Sequence, residues 1–262
     1  MNGGIRTSAS GMKAQQLMVD TIANNLANVN TTGFKRSRVS FEDVLYNTIQ
    51  GAQTVDAGGE RQTLAPLQIG QGVRLAAINR LHTQGAPEQT GRPLDLAVEG
   101  DGFFQVQRAD GATAYTRDGS FTISDSGQLV TNGGYKVLPG VTVPPDSQNL
   151  TISASGIVTV TDTNAQQVEI GRLELARFVN PNGLASLGEN LYQETAASGE
   201  AMTGAPQEQG MGRILQGMLE SSNVEIVQEM TDMIAAQRAY EINAKAIQTG
   251  ESMMQVTGDL IR

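Results

Sequence analysis

Proline is confined to the middle of this chain. All eight prolines fall between Pro66 and Pro206, so the first 65 residues and the last 56 contain none. Proline removes a backbone donor and clashes with the preceding helical turn, so long helices are free to form at the two ends. Both ends carry apolar residues at alternating spacings of four and three, the mark of a helix with one packing seam. The stretch between them is glycine-punctuated and alternates apolar with polar residues, as short strands do. The expected class is α+β: long N- and C-terminal helices paired as a coiled-coil-like domain, with a central all-β domain of short antiparallel strands. Seamed termini can pair with each other or with copies of the chain, which puts an assembling structural protein ahead of an enzyme.

The first helix is expected over Thr7–Asn30, with Ser8 or Ser10 as its cap. Its seam reads Ile5, Ala9, Met12, Val19, Ala23 and Leu26, interrupted by Gln16 and widened by Met18, Ile22 and Val29. Gly33 suits a left-handed residue after the helix. Asn24, Asn25, Asn28 and Asn30 are poor helix formers. They read either as fraying into a polar turn or as amides reserved for neighbouring subunits. Ser40-Phe41-Glu42-Asp43 has the form of a capping box and predicts a short helix through Ile49. Gln50–Ala65, with Gly58-Gly59 at its centre, reads as a flexible linker or an extended hairpin.

From Leu67 to Leu219 the spacing predicts strands. Leu94–Val98 and Phe103–Val106 flank the Glu99-Gly100-Asp101-Gly102 turn, and Asp110-Gly111, Asp118-Gly119, Ser126-Gly127 and Asn132-Gly133 supply further turns. Val168–Phe178 reads as one strand and Ser198–Gly212 as exposed. Ser222-Asn223-Val224-Glu225 forms a second capping box, opening a helix of about 55 Å that runs almost to Arg262. Ile226, Met230, Met233, Tyr240, Ala244, Ile247, Met254 and Ile261 make its seam. Gln237, Glu251 and Gly258 break it, so this helix needs several neighbours. These boundaries predict a terminal helical domain (1–34 with 222–262), a short helix and linker (35–72) and a central β domain (73–221).

The chemistry available is limited. With 27 acidic against 18 basic residues and a net charge of −9, nucleic acid and anionic membrane are not expected partners. The absence of cysteine excludes disulfides and thiolate chemistry. No apolar run spans a membrane or forms a secretory signal, so delivery outside the cytoplasm would need a route that reads neither. Gly100-Asp101-Gly102 lacks a third glycine and precedes a strand, which is a hairpin turn and not a phosphate cradle. Asp95, Glu99 and Asp101 do not have calcium-loop spacing. His82 is the single histidine and cannot build a zinc site or a triad without partners. Lys35-Arg36-Arg38 reads as a solvated cluster flanking a helix end. No catalytic residue, metal site or cofactor site is expected. Two other classes remain open: a cell-wall enzyme with helical tails, which needs an acidic pair in a cleft, and a glycan-binding β domain with oligomerising helices.

Three stretches carry a family resemblance. Ala23-Asn24-Asn25-Leu26-Ala27-Asn28-Val29-Asn30-Thr31-Thr32-Gly33-Phe34-Lys35 resembles the N-terminal signature of the bacterial flagellar rod and hook axial proteins. Gly100-Asp101-Gly102-Phe103-Phe104 with Tyr115-Thr116-Arg117-Asp118-Gly119-Ser120-Phe121 resembles their shared β-domain motif. Gln237-Arg238-Ala239-Tyr240-Glu241 with Asn243-Ala244-Lys245 resembles their C-terminal helix. Gly188-Glu189-Asn190-Leu191-Tyr192, the stretch Gln216-Gly217 through Glu220-Ser221-Ser222-Asn223-Val224 and the segment Tyr46–Ala65 resemble the distal-rod branch most, with proximal-rod and hook-type members as the alternatives.

The resemblance implies a non-enzymatic, self-assembling tube that carries motor torque across the periplasm to the hook. The terminal helices would form the inner tube through Met12, Val19, Ala23, Asn24, Asn25, Leu26, Asn28, Ile226, Met230, Met233, Tyr240, Ile247 and Met254. The family motif falls on Gly33, Phe34, Lys35, Gly100, Gly102, Phe103, Phe104, Arg117, Asp118 and Gly119. Implied partners are further copies of the chain, proximal rod proteins, the hook protein, the peptidoglycan-ring and outer-membrane-ring proteins, the rod cap and the flagellar type III export apparatus. The implied location is the basal body, from periplasm to outer membrane.

Overall fold

The computed structural model describes residues 2–51, 53–57, 60–145, 147, 149–162 and 166–260. The chain divides into two compact units: Met1–Leu26, Ser37–Asn79 and Ile226–Arg262 form one, and Ala27–Arg36 with Arg80–Glu225 the other. The segment 35–72 is therefore split. Residues 35–36 belong with the β unit and residues from 37 onward with the helices.

The first unit holds two α-helices among the described residues, α1 (Asn2–Ala27) and α2 (Ile226–Leu260). α1 starts before Thr7 because the hydroxyls expected to cap it turn back onto the helix. Ser10 Oγ donates to Thr7 O at 2.7 Å and Thr7 Oγ1 to Gly3 O at 3.0 Å, which leaves nothing to stop the helix there. It ends at Ala27, and Asn28 O accepts the Thr31 N–H at 3.1 Å in the turn that follows. α2 starts at Ile226, later than the capping box predicts, and Ser222 Oγ accepts only the Val224 N–H, at 3.3 Å.

The two helices run antiparallel. Asn25 meets Glu229, a methyl group on Gly11 would stand 3.1 Å from the Asn243 amide, and one on Gly250 would stand 3.2 Å from Ile5. Ala14, Ile22 and Asn25 are buried on α1, and Glu229 and Ala236 on α2. Ile5, Met12, Val19 and Leu26 of the expected α1 seam are half-buried beside them. Gly11 and Gly250 each leave room for a side chain of the other helix, Asn243 and Ile5.

Between the helices in sequence lies a long hairpin built from β1 (Ser37–Asp43), β2 (Tyr46–Gln50), β3 (Gln53–Ala57), β4 (Glu60–Leu64), β5 (Leu67–Gly70) and β6 (Val73–Arg80). β1 pairs with β6, β2 with β5 and β3 with β4. The register runs from Tyr46 opposite Gly70 to Ala57 opposite Glu60. The short helix expected over Ser40–Ile49 is absent, and strands stand in its place. A capping signal is local and weak, whereas Val39, Phe41 and Ile49 suit a pleated surface and gain a partner strand. Of the two readings of Gln50–Ala65, the extended hairpin holds. Gly58-Gly59 and Ile261 lie outside the described residues.

The second unit is β-rich. β7 (Pro87–Gln89) and β8 (Leu96–Glu99) pair with Met218–Glu220 and Arg213–Gln216, bringing the end of the unit back to its beginning. β9 (Phe103–Gln107) is central to an antiparallel sheet of nine strands among the described residues, with β10 (Thr113–Thr116) and Lys136–Val137 along its edges and Leu175–Arg177 at its start. Val168–Phe178 is two strands and not one, Gln167–Arg172 and Leu175–Arg177. Ser198–Gly212 is only partly exposed: Ser198 and Met211 are buried, and Met202–Gly204 pairs with Leu175–Arg177. One core joins Leu96, Val98, Phe104, Val106, Phe121 and Ile214, and the Phe104 and Phe121 rings meet edge to face at 5.1 Å.

Candidate assembly faces and a buried charge cluster

Asn25 is the polar centre of the first unit. It is 1% exposed, its Nδ2 donates to Ser37 O at 2.9 Å and to Glu229 Oε2 at 3.1 Å, and its Oδ1 accepts the Ser37 N–H at 2.9 Å. One carboxamide thus binds α1, the root of the hairpin and α2. Its place in the asparagine run is explained inside the chain, without a neighbouring subunit.

The other residues expected on the assembly helices divide. Met12, Val19, Leu26, Asn28, Met233, Ile247 and Met254 are half-buried, while Ala23 and Asn24 are exposed. Ile226, Met230 and Tyr240 are exposed by 46%, 52% and 43%, and Tyr240 lines a cavity with Gln16 and Val19 of α1. Val227, Ile234, Ile242, Met253 and Val256 are also exposed, interspersed with exposed Gln228, Arg238, Glu241 and Lys245, so α2 leaves several large apolar side chains uncovered within a mixed surface. Large apolar side chains left uncovered in numbers on one element mark an interaction surface.

Of the basic patch read as solvated, Arg38 is exposed and Arg36 half-buried, but Lys35 is not solvated. Lys35 is fully buried; its Nζ lies 2.5 Å from Glu220 Oε1 and donates to Thr83 O at 2.8 Å. Glu220, also buried, accepts the Gly85 N–H on Oε1 at 2.8 Å and faces Arg117 Nη1 from Oε2 at 3.4 Å. Arg117 donates further to Val98 O at 3.2 Å and Gly100 O at 2.7 Å, and its guanidinium sits 5.2 Å from the Phe103 ring centre. Two cations therefore share one carboxylate; backbone carbonyls take further donors, and Arg117 Nε is buried without a hydrogen-bond partner. Glu220 stands in a stretch that carries the resemblance, but no local pattern assigns it a role, because its partners Lys35 and Arg117 are 185 and 103 residues away.

Burial disfavours the charged forms here. It pushes the Lys35 ammonium down from its usual pKa, with Glu220 opposing, and it lowers Arg117 against the same counter-charge. His82 lies edge-on to Phe103 at 5.5 Å and Tyr192 at 5.1 Å, and burial, helped by the charges of Lys35, Arg117 and Arg80, pushes it down to about 4. It is a neutral wedge between aromatic rings.

The remaining motif residues shape this core. Gly33 has φ +67°, and a Cβ there would stand 2.6 Å from Asp118 N; one on Gly119 would stand 1.6 Å from Leu96 O. Gly100 (φ +103°) and Gly102 (φ +144°) make the turn before β9, and Phe103 and Phe104 are buried on opposite faces of it. Phe34 is buried with Arg80 5.8 Å from its ring centre. Asp118 Oδ1 accepts from Thr32 Oγ1 at 2.9 Å and from Ser120 Oγ at 2.7 Å.

Three family models match the chain: flagella basal body rod protein over residues 5–35, flagellar hook protein FlgE/F/G D1 domain over 97–160, and flagellar basal body rod FlgEFG protein C-terminal over 215–260. The flagellar basal-body rod protein FlgG of Borreliella burgdorferi is 51% identical over 98% of this chain and 97% of its own length. The chain belongs to the flagellar basal-body rod protein family. The FlgG rod proteins of Caulobacter vibrioides and Bacillus subtilis are 47% and 41% identical, over 98% and 97% of both chains respectively. In this rod-family chain each of the three matched segments supplies one member of the buried cluster: Lys35, Arg117 and Glu220. The first and third segments also supply Asn25 and Glu229.

Proposed function

We propose that the chain is a structural subunit of the distal flagellar rod, with no catalytic role. Copies polymerise into a rigid helical tube that carries torque across the periplasm to the hook. The observation that carries this reading is the set of large apolar side chains that α2 leaves uncovered. Val227, Met230, Ile234 and Ile242 are exposed, so the first unit completes its burial only against further copies. The similarity to FlgG rod proteins supports the distal position over the proximal-rod and hook-type alternatives. On this reading the chain leaves the cell unfolded through the flagellar type III export apparatus, adds beneath a rod cap, and meets proximal rod proteins, the hook protein and the two ring proteins. The segment Tyr46–Ala65 touches adjacent subunits and stiffens the tube.

Imaging a labelled subunit in isolated basal bodies tests the assignment. Label between the rings and next to the hook is expected. Label at the inner-membrane end would make the chain a proximal rod protein, and label beyond the outer membrane a hook-type protein.

A further inference from the structure

Every covalent path between the two units crosses at residues 26–27, 36–37, 79–80 or 225–226. Three of these four crossings lie beside a single side chain, Asn223. Its Oδ1 accepts the Arg36 N–H at 2.7 Å. Its Nδ2 donates to Leu81 O at 2.8 Å, to Thr83 O at 3.1 Å and to Thr83 Oγ1 at 2.8 Å. The ring closes without it as well, because the Leu81 N–H donates to Arg36 O at 2.9 Å. All of these groups belong to the second unit.

We propose that Asn223 is a positioning residue that ties together the three strands by which the chain leaves the second unit, so that they bear load together. The chemistry specifies the residue. A carboxamide offers acceptor and donor on one short arm; aspartate has no donor, serine is too small to bridge both strands, and glutamine is one methylene longer. Three strands joined side by side yield only when their cross-links break together. An untied strand takes the load alone. The same bonds explain why the predicted capping box does not open α2: Asn223 is committed to Arg36, Leu81 and Thr83. Load enters through the rod assignment above; the tie itself does not depend on it.

Amide hydrogen exchange on the purified full-length chain tests the tie, and swimming tests the load. In Asn223→Ala the Arg36 N–H loses its acceptor and its exchange is expected to accelerate about tenfold, with a smaller rise at Leu81, whose own N–H keeps its bond to Arg36 O, while Val106 in the sheet stays within about twofold. Asn223→Asp keeps the acceptor for Arg36 but sets a carboxylate against Leu81 O and Thr83 O, so the Leu81 N–H on the strand pushed away accelerates and Arg36 stays protected. Uniform acceleration of all three amides in both variants, or no change in either, overturns the tie. Cells carrying Asn223→Asp are expected to build normal numbers of basal bodies and swim normally in dilute medium, but to lose speed in viscous medium. Normal speed at high viscosity, with the exchange pattern as expected, removes the load-bearing role and leaves the tie. A chain located elsewhere than the rod by imaging fails the rod assignment and leaves the exchange result standing.

Discussion

The Asn25 amide donates to the Glu229 carboxylate at 3.1 Å, joining residues 204 positions apart and linking the N-terminal helix to the C-terminal one. Both are buried. A buried polar pair between apolar seams stabilises little but fixes register, because any slip leaves both partners unsatisfied. The pair sets which turns of α1 and α2 meet, and the bonds from Asn25 to Ser37 set where the hairpin begins.

Asn25→Asp should therefore be far worse than its size suggests. It removes the donor to Glu229 and to Ser37 O and places a second carboxylate against the first. A loss of about 2–4 kcal/mol is expected in chemical denaturation followed by helix circular dichroism. A change below about 0.5 kcal/mol would mean that the pair does not hold the helices.

The cluster of Lys35, Arg117 and Glu220 predicts an order of severity from its charge count. Lys35→Met leaves Arg117 and Glu220 as a neutral pair, so about 1–2 kcal/mol is expected. Glu220→Gln leaves two buried cations with no counter-charge and should cost about 3–5 kcal/mol. Denaturant midpoints of the two variants decide it, and the reverse order would contradict the assignment.

His82 predicts a pH window. The unfolded chain binds a proton near 6.5, but the folded chain does so only near 4. Between these values the unfolded state holds more protons, so stability rises with pH across the window and falls by up to ~3 kcal/mol as pH drops through it. His82→Gln should flatten the stability profile between those two pH values. An unchanged slope would assign the dependence to other groups.

Two glycines predict opposite tolerance. A methyl on Gly119 falls 1.6 Å from Leu96 O, a backbone atom that cannot move aside. Gly111 has φ +83° and open space around it. Gly119→Ala should abolish the native fold of the β unit, whereas Gly111→Ala should cost about 1 kcal/mol, as read from thermal unfolding.

Much of this architecture is legible in the sequence. Each proline-free end carries a long helix, the glycine turns bound strands, and the left-handed Gly33 is where the sequence places it. Three things are not legible, for separate reasons. The Ser40–Ile49 region has a helical start signal but pairs across the chain with β5 and β6, a contact that no local pattern encodes. The polar link between the helices, Asn25 to Glu229, joins residues 204 positions apart and leaves no mark in the apolar spacing. Lys35 looked solvated because its partner Glu220 is 185 residues away.

The central claim is that the exposed apolar side chains of α2 are buried only in the polymer. The most direct measurement counts complete rods in basal bodies isolated from cells expressing Val227→Glu with Ile234→Glu, both exposed positions at 73% and 58%. The expected result is export of a chain whose β unit melts as the parent does, with no rods formed. Rods in parental numbers would contradict the account.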